Sequence, residues 1–201
     1  MRRNVAILVF DDVEVLDFAG PFEVFAVTDE LHSHSEFNVF TVAPMPGTVR
    51  ARNGLKVVPE HSLESCPQAH ILVIPGGFGS RALLRNPVVL EWIQTRARRA
   101  EITMSVCTGA LLLAKIGMLD GLRATTHHLA LDLLRELAPK AIVVPGVRFH
   151  DNGPILTAAG ISAGIDCSLH VVGRLLGAAS SSATAARMEY DQRHASTSPA
   201  A

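Results

Sequence analysis

The apolar positions fall into short unbroken runs separated by glycine, proline and charge. Residues 5–10 (VAILVF), Phe37–Ala43, Ile71–Ile74, Ile102–Val106 and Ile155–Ala158 are runs of this kind. Continuous branched apolar residues, rather than alternating ones, mark strands covered on both faces. Shorter pieces at 55–58, 124–126, 141–144 and 147–149 complete the predicted strands. Between the strands the period changes to that of a helix. Phe22, Phe25 and Ala26 predict a helix over 21–31, with Pro21 in its first turn, where a missing N–H goes unnoticed. Asn86 and Pro87 read as a cap and first residue, followed by the stripe Val89, Ile93, Ala97. Further helices are predicted over 110–116, 129–137 and 162–176. Strands alternating with helices predict an α/β domain, a mostly parallel central sheet sandwiched by helices. That domain is expected over residues 1–178. An Ala/Ser-rich tail, 179–201, follows, and the stretch after His194 is expected to be disordered.

Composition narrows the picture. The chain is 48% hydrophobic but only 5% aromatic, so Val, Ile, Leu and Ala must fill the core. This suits a buried parallel sheet better than an aromatic-rich sandwich. With 18 basic and 19 acidic residues the formal charge is −1, which provides no field for a nucleic-acid backbone. The apolar stretches are far shorter than the roughly 20 residues that span a bilayer, so no membrane partner is expected. The three cysteines, Cys66, Cys107 and Cys167, show no CxxC spacing. They point away from a disulfide framework or a zinc site and towards a reducing cytoplasm.

Three places carry chemistry. Cys107 stands where an apolar strand runs straight into a helix, in Ser105-Val106-Cys107-Thr108-Gly109-Ala110. A helix N-terminus favours a thiolate, and such a turn lifts a nucleophile clear of the sheet. The alternative is a small buried hydrophobe, the commonest fate of a free cysteine. Cys66 and Cys167 are expected to be of that second kind. The loop Pro75-Gly76-Gly77-Phe78-Gly79 follows a buried strand and could turn its N–H groups towards a developing anion. Read instead as a dinucleotide fingerprint, it lacks the acidic residue at the end of the next strand. Asp17 sits among apolar neighbours, which is costly for a carboxylate unless it caps, pairs or holds a proton. His127 and His128 follow a predicted strand, and one of them could orient or deprotonate Cys107. No spacing suggests a metal site.

Taken together, Asp17, Pro75-Gly76-Gly77, the strand–Cys107–helix elbow and Thr125-Thr126-His127 resemble the ThiJ/PfpI family, of the class-I glutamine-amidotransferase-like superfamily. The resemblance runs from Val5 to about Gly177. It implies a flavodoxin-like sheet carrying a nucleophile elbow. LDFAGPFEVF at residues 16–25 and SVCTGALLLA at residues 105–114 are most similar to the isonitrile hydratases of the family. The implied reaction adds water to an isonitrile to give an N-substituted formamide through a thioimidate on Cys107. Asp17 would be proton donor and then base, and Thr108 a catalytic-site residue. Gly77 N–H with the elbow's own N–H groups would hold the developing charge, Gly76 lying in the same oxyanion or substrate-binding loop. His127 would contact substrate or orient the thiol, and no metal or organic cofactor is implied. Asp166, in a stretch typical of the family, would cap a helix with Ser162 or line the pocket.

Two departures set further expectations. Protease-like and deglycase-like relatives often carry histidine after the cysteine, where this chain has Thr108, and the late His-x-Glu of glutaminases is missing. The ligand-sensing domains of AraC-type regulators are also similar, yet the length leaves no helix-turn-helix domain after the tail. The competing readings are a glyoxalase or deglycase acting on reactive carbonyls and a cysteine redox sensor or chaperone. A small-molecule substrate and a homodimer are the expected partners. The tail residues Met188, Glu189 and Tyr190 are expected to dock on a partner or on the chain's own core.

Overall fold

A computed structural model describes residues 2–191 of the chain. In chain order, β1 (Arg3–Leu8) leads through α1 (Val15–Leu31) to β2 (Phe37–Ala43), and β3 (Val49–Arg50) pairs with β4 (Lys56–Val57). Next come β5 (His61–Ser62), β6 (Ile71–Ile74), α2 (Ser80–Leu83), α3 (Pro87–Ala97) and β7 (Ile102–Val106). The 3-10 turn Cys107–Gly109 opens into α4 (Ala110–Lys115), then β8 (Arg123–Ala124), α5 (Leu131–Leu137) and β9 (Ile142–Val143). The chain continues with β10 (Phe149–Asp151), β11 (Ile155–Ala158), α6 (Ala163–Leu176) and α7 (Ala178–Arg187).

Seven strands form one sheet in the order β10-β11-β7-β6-β1-β2-β5. All neighbours are parallel except the edge pair β10–β11. The central strands β6 and β7 are buried at every position, as their unbroken apolar runs require. Because β1, β6, β7 and β11 point the same way, their carboxyl ends meet at one edge of the sheet, where ligand sites of open α/β folds gather. Among the described residues no helix is long and apolar enough to cross a membrane.

Two elements depart from expectation. Helix α1 begins at Val15, six residues before the expected start, and holds Pro21 in its interior. The proline deprives the Asp17 carbonyl of its helical partner. Packing compensates: α1 crosses α6 so closely that a Cβ on Gly20 would lie 2.9 Å from Ile165, and one on Gly164 3.6 Å from Pro21. Tertiary burial thus overrides the local stop signal. This places Asp17 on a rigid helix rather than in a turn.

The second departure is the Ala/Ser-rich stretch after Gly177, whose first ten residues are α7. Small side chains let this helix lie close to its neighbours. Ser181 Oγ donates to Leu169 O at 2.8 Å, and Thr184 and Thr28 hydroxyls meet at 2.9 Å. Met188 and Tyr190 pack against the chain's own core. The stretch after His194, expected to be disordered, lies outside the described residues.

Candidate active site

Cys107 leaves β7 with φ +56°, in the left-handed region that L-residues rarely adopt. Such a residue is held only where its surroundings over-determine it. Here its N–H donates to Ala159 O at 2.9 Å, and Thr126 Oγ1 donates to its carbonyl at 2.7 Å. Gly109 admits the β6 backbone behind the turn, since a Cβ there would lie 1.9 Å from Ile74 O. The elbow expected from sequence is present, with the thiol only 6% exposed.

Asp17 meets the thiol from α1. It is fully buried, and its Oδ2 accepts from Gly76 N–H at 3.0 Å. Oδ1 has no partner of ordinary hydrogen-bond geometry, while the Cys107 thiol and Ile161 N–H lie close enough to bias the carboxyl's titration. Burial raises the Asp17 pKa to about 7, against the pull of Gly76 N–H and the thiol. For Cys107, burial and then the Asp17 charge push the pKa up to about 12, although Thr108 and Ile161 N–H groups draw it down. The thiolate expected from the helix end is therefore not the resting form. Desolvation and a neighbouring carboxylate outweigh a dipole from a six-residue helix. Above about pH 7 the two groups hold one proton between them, and below it two.

The glycine loop does different work from that expected. Gly76 N–H is engaged by Asp17, and Gly77 N–H donates to Thr108 Oγ1 at 3.0 Å. Neither remains as an anion donor, which corrects the role drawn from the loop's sequence. The Thr108 hydroxyl also interacts with Gly77 O at 3.2 Å and accepts from Ser80 Oγ at 3.0 Å. It is a clamp joining the loop to the elbow, leaving the Thr108 N–H to face the sulfur. Gly76 must be glycine for this approach, since a Cβ would come within 2.4 Å of Thr108 N. Thr108→Val is expected to leave Gly77 N–H buried without a partner and to lower stability by about 1–3 kcal/mol, read by urea unfolding.

His127 accepts from Leu129 N–H through Nδ1 at 3.3 Å and packs its ring against Gly160, capping a turn. It lines the same cavity as Cys107. Burial and then the charge of His128 lower its pKa, so it faces the cavity neutral. Asp166 neither caps α6 nor reaches that cavity. Arg148 pairs with its Oδ2, and Tyr190 Oη donates to Oδ1 at 3.1 Å, fastening the segment after α7. Ser162 makes no side-chain cap either, because its hydroxyl accepts from Arg148. Cys66 and Cys167 are buried and unbridged, with burial raising both thiol pKa values.

The cavity above Cys107 measures about 310 Å³. Sequence reasoning missed much of its wall: Glu14, Arg52, Phe78, Arg81, Leu129 and Ile161. These come from separate segments that carry no shared spacing. The one local sign was Phe78, a large aromatic inside a glycine loop, and it is 57% exposed. Among the described residues no cluster of three or more His, Cys, Asp or Glu could hold a metal ion.

Comparison with known proteins identifies the family and the fold. The sequence profile of the DJ-1/PfpI family matches residues 3–174. The chain belongs to the DJ-1/PfpI family. Among DJ-1/PfpI relatives, isonitrile hydratase of Pseudomonas putida is 33% identical over 190 residues, covering 94% of this chain and 79% of that protein. The HTH-type transcriptional regulator CdhR of Pseudomonas aeruginosa is 28% identical over 177 residues, covering 88% of this chain. The chain spans about half of that regulator's length, 52%. A crystal structure of a ThiJ/PfpI family protein from Pseudomonas syringae superposes with a TM-score of 0.86 at 28% identity, over 100% of this chain and 80% of its own. The mostly parallel seven-stranded sheet is thus a DJ-1/PfpI fold, as the sequence resemblance implied.

Proposed function

We propose that this protein is an isonitrile hydratase in which Cys107 is the nucleophile and Asp17 carries the protons. The observation that carries the reading is the buried carboxyl with one oxygen fixed by Gly76 and the other free beside the thiol. The 33% identity to the Pseudomonas putida hydratase supports the same choice. Asp17 takes the thiol proton as sulfur bonds to the terminal isonitrile carbon, then delivers that proton to the carbon. The product is a thioimidate, Cys107–S–CH=N–R. Asp17 next accepts a proton from water as the oxygen adds to the same carbon, and passes it to nitrogen. The tetrahedral adduct expels sulfur, its hydroxyl proton returns to the thiol, and R–NH–CHO leaves. Thr108 and Ile161 N–H groups, already near the sulfur, are the donors closest to the developing charge.

Cyclohexyl isocyanide is the simplest probe. Incubation with the protein is expected to yield N-cyclohexylformamide at a rate proportional to protein, followed by chromatography. No product above the buffer rate would overturn the reading. A redox-sensor role is disfavoured by the same site, because a buried, protonated thiol oxidises slowly.

A further inference from the structure

We propose that the substrate carries a carboxylate, held by Arg81 at the rim of the cavity while the isonitrile carbon reaches Cys107. The reacting group rests on the hydratase reading; the carboxylate rests on the cavity walls. Phe78 stands exposed at the rim with a guanidinium over it from each of two segments. Arg52 lies 4.2 Å from its ring centroid and Arg81 5.2 Å. Arg52 is balanced, its Nε 3.5 Å from a Glu14 carboxylate oxygen. Arg81 makes no ion pair among the described residues, and its charge is among those that hold His127 neutral. The wall therefore bears one uncompensated positive charge.

Stacking on an aromatic face orients a guanidinium and leaves its N–H edge as a planar fork, the geometry that matches a carboxylate. A cavity of about 310 Å³ lies at the small end of ligand sites. The thiol end is buried beside the Asp17 carboxyl, which would repel a second carboxylate, so the charged end of a substrate belongs at the rim. Short isocyano carboxylic acids meet all three conditions: small body, linear reactive end and anionic opposite end.

The test compares isocyanoacetate with its methyl ester. In the native protein the acid is expected to have the higher kcat/KM, with a preference that shrinks as salt rises. Arg81→Gln is expected to reduce the acid-to-ester ratio about 5- to 10-fold, mainly through KM of the acid. Arg85→Gln, an exposed arginine that does not line the cavity, controls for overall charge. If both compounds are hydrated and Arg81→Gln leaves the ratio unchanged, the carboxylate site is overturned while the hydratase reading stands. If neither is hydrated while cyclohexyl isocyanide is, the carboxylate site is overturned and the hydratase reading stands; if all three are inert, the hydratase reading falls. Ligand-observed NMR with N-formylglycine and its methyl ester then decides the carboxylate site separately. Arg81-dependent preference for the acid supports it, and equal binding overturns it.

Discussion

Alanine at position 107 is expected to abolish isonitrile turnover, lowering kcat/KM by about 10³-fold or more, with the fold intact. The bonds that shape the elbow are backbone ones, Cys107 N–H to Ala159 O and Thr126 Oγ1 to Cys107 O, and both survive the change. The positive φ is no worse for alanine than for cysteine, since both carry a Cβ. Asp17 loses the thiol that stabilises its ionised form, so its pKa should climb further. Serine offers a second variant that keeps a hydrogen-bonding group beside Asp17 yet supplies a far weaker nucleophile. It should be inactive as well. In the native protein, rapid quenching with excess isonitrile should reveal an adduct one substrate molecule heavier than the free protein, absent from both variants. Formamide production by the alanine variant at the native rate would remove sulfur from the mechanism.

What could be read from the residues alone was whatever depends on near neighbours. The buried runs of β2, β6, β7 and β11 declare themselves because strands covered on both faces need no polar alternation. The elbow is legible because strand, cysteine and helix are contiguous. Long-range contacts are not encoded this way. Gly77 and Thr108 lie 31 residues apart, so nothing local shows that the loop's N–H groups are already bonded. Pro21 misled the helix start because its local penalty is outweighed by the crossing of α1 on α6. From sequence alone Asp166 reads as a cap or pocket residue, because Arg148 and Tyr190 reach it only after β10, β11 and α7 are in place. The rim formed by Arg52, Phe78 and Arg81 has the same origin: its parts meet only where the strand ends converge.

Asp17→Asn should separate the carboxyl's chemistry from its structural bond. Asparagine can still accept from Gly76 N–H and can turn its amide towards the sulfur, so the loop and α1 should keep their places. Proton transfer is lost, and kcat is expected to fall by about 10²–10⁴-fold. The pH profile gives a second readout. In the native protein the reactive form is the pair with one proton, so kcat/KM should fall as pH drops through about 7, where Asp17 takes up its proton. The variant should lack that limb. Stability should change in the opposite sense. The folded pKa of Asp17 is raised from 3.8 to about 7, so its ionisation opposes folding. This penalty is absent below about pH 4, grows between there and about pH 7, and is complete above. A shift of about 3 units corresponds to at most on the order of 4 kcal/mol. The variant should therefore gain stability over the native protein as pH rises from 5 to 8, measured by urea unfolding at both values. A gap that stays constant with pH would mean that burial does not raise this carboxyl. Full turnover in the variant would show that the proton travels by another route.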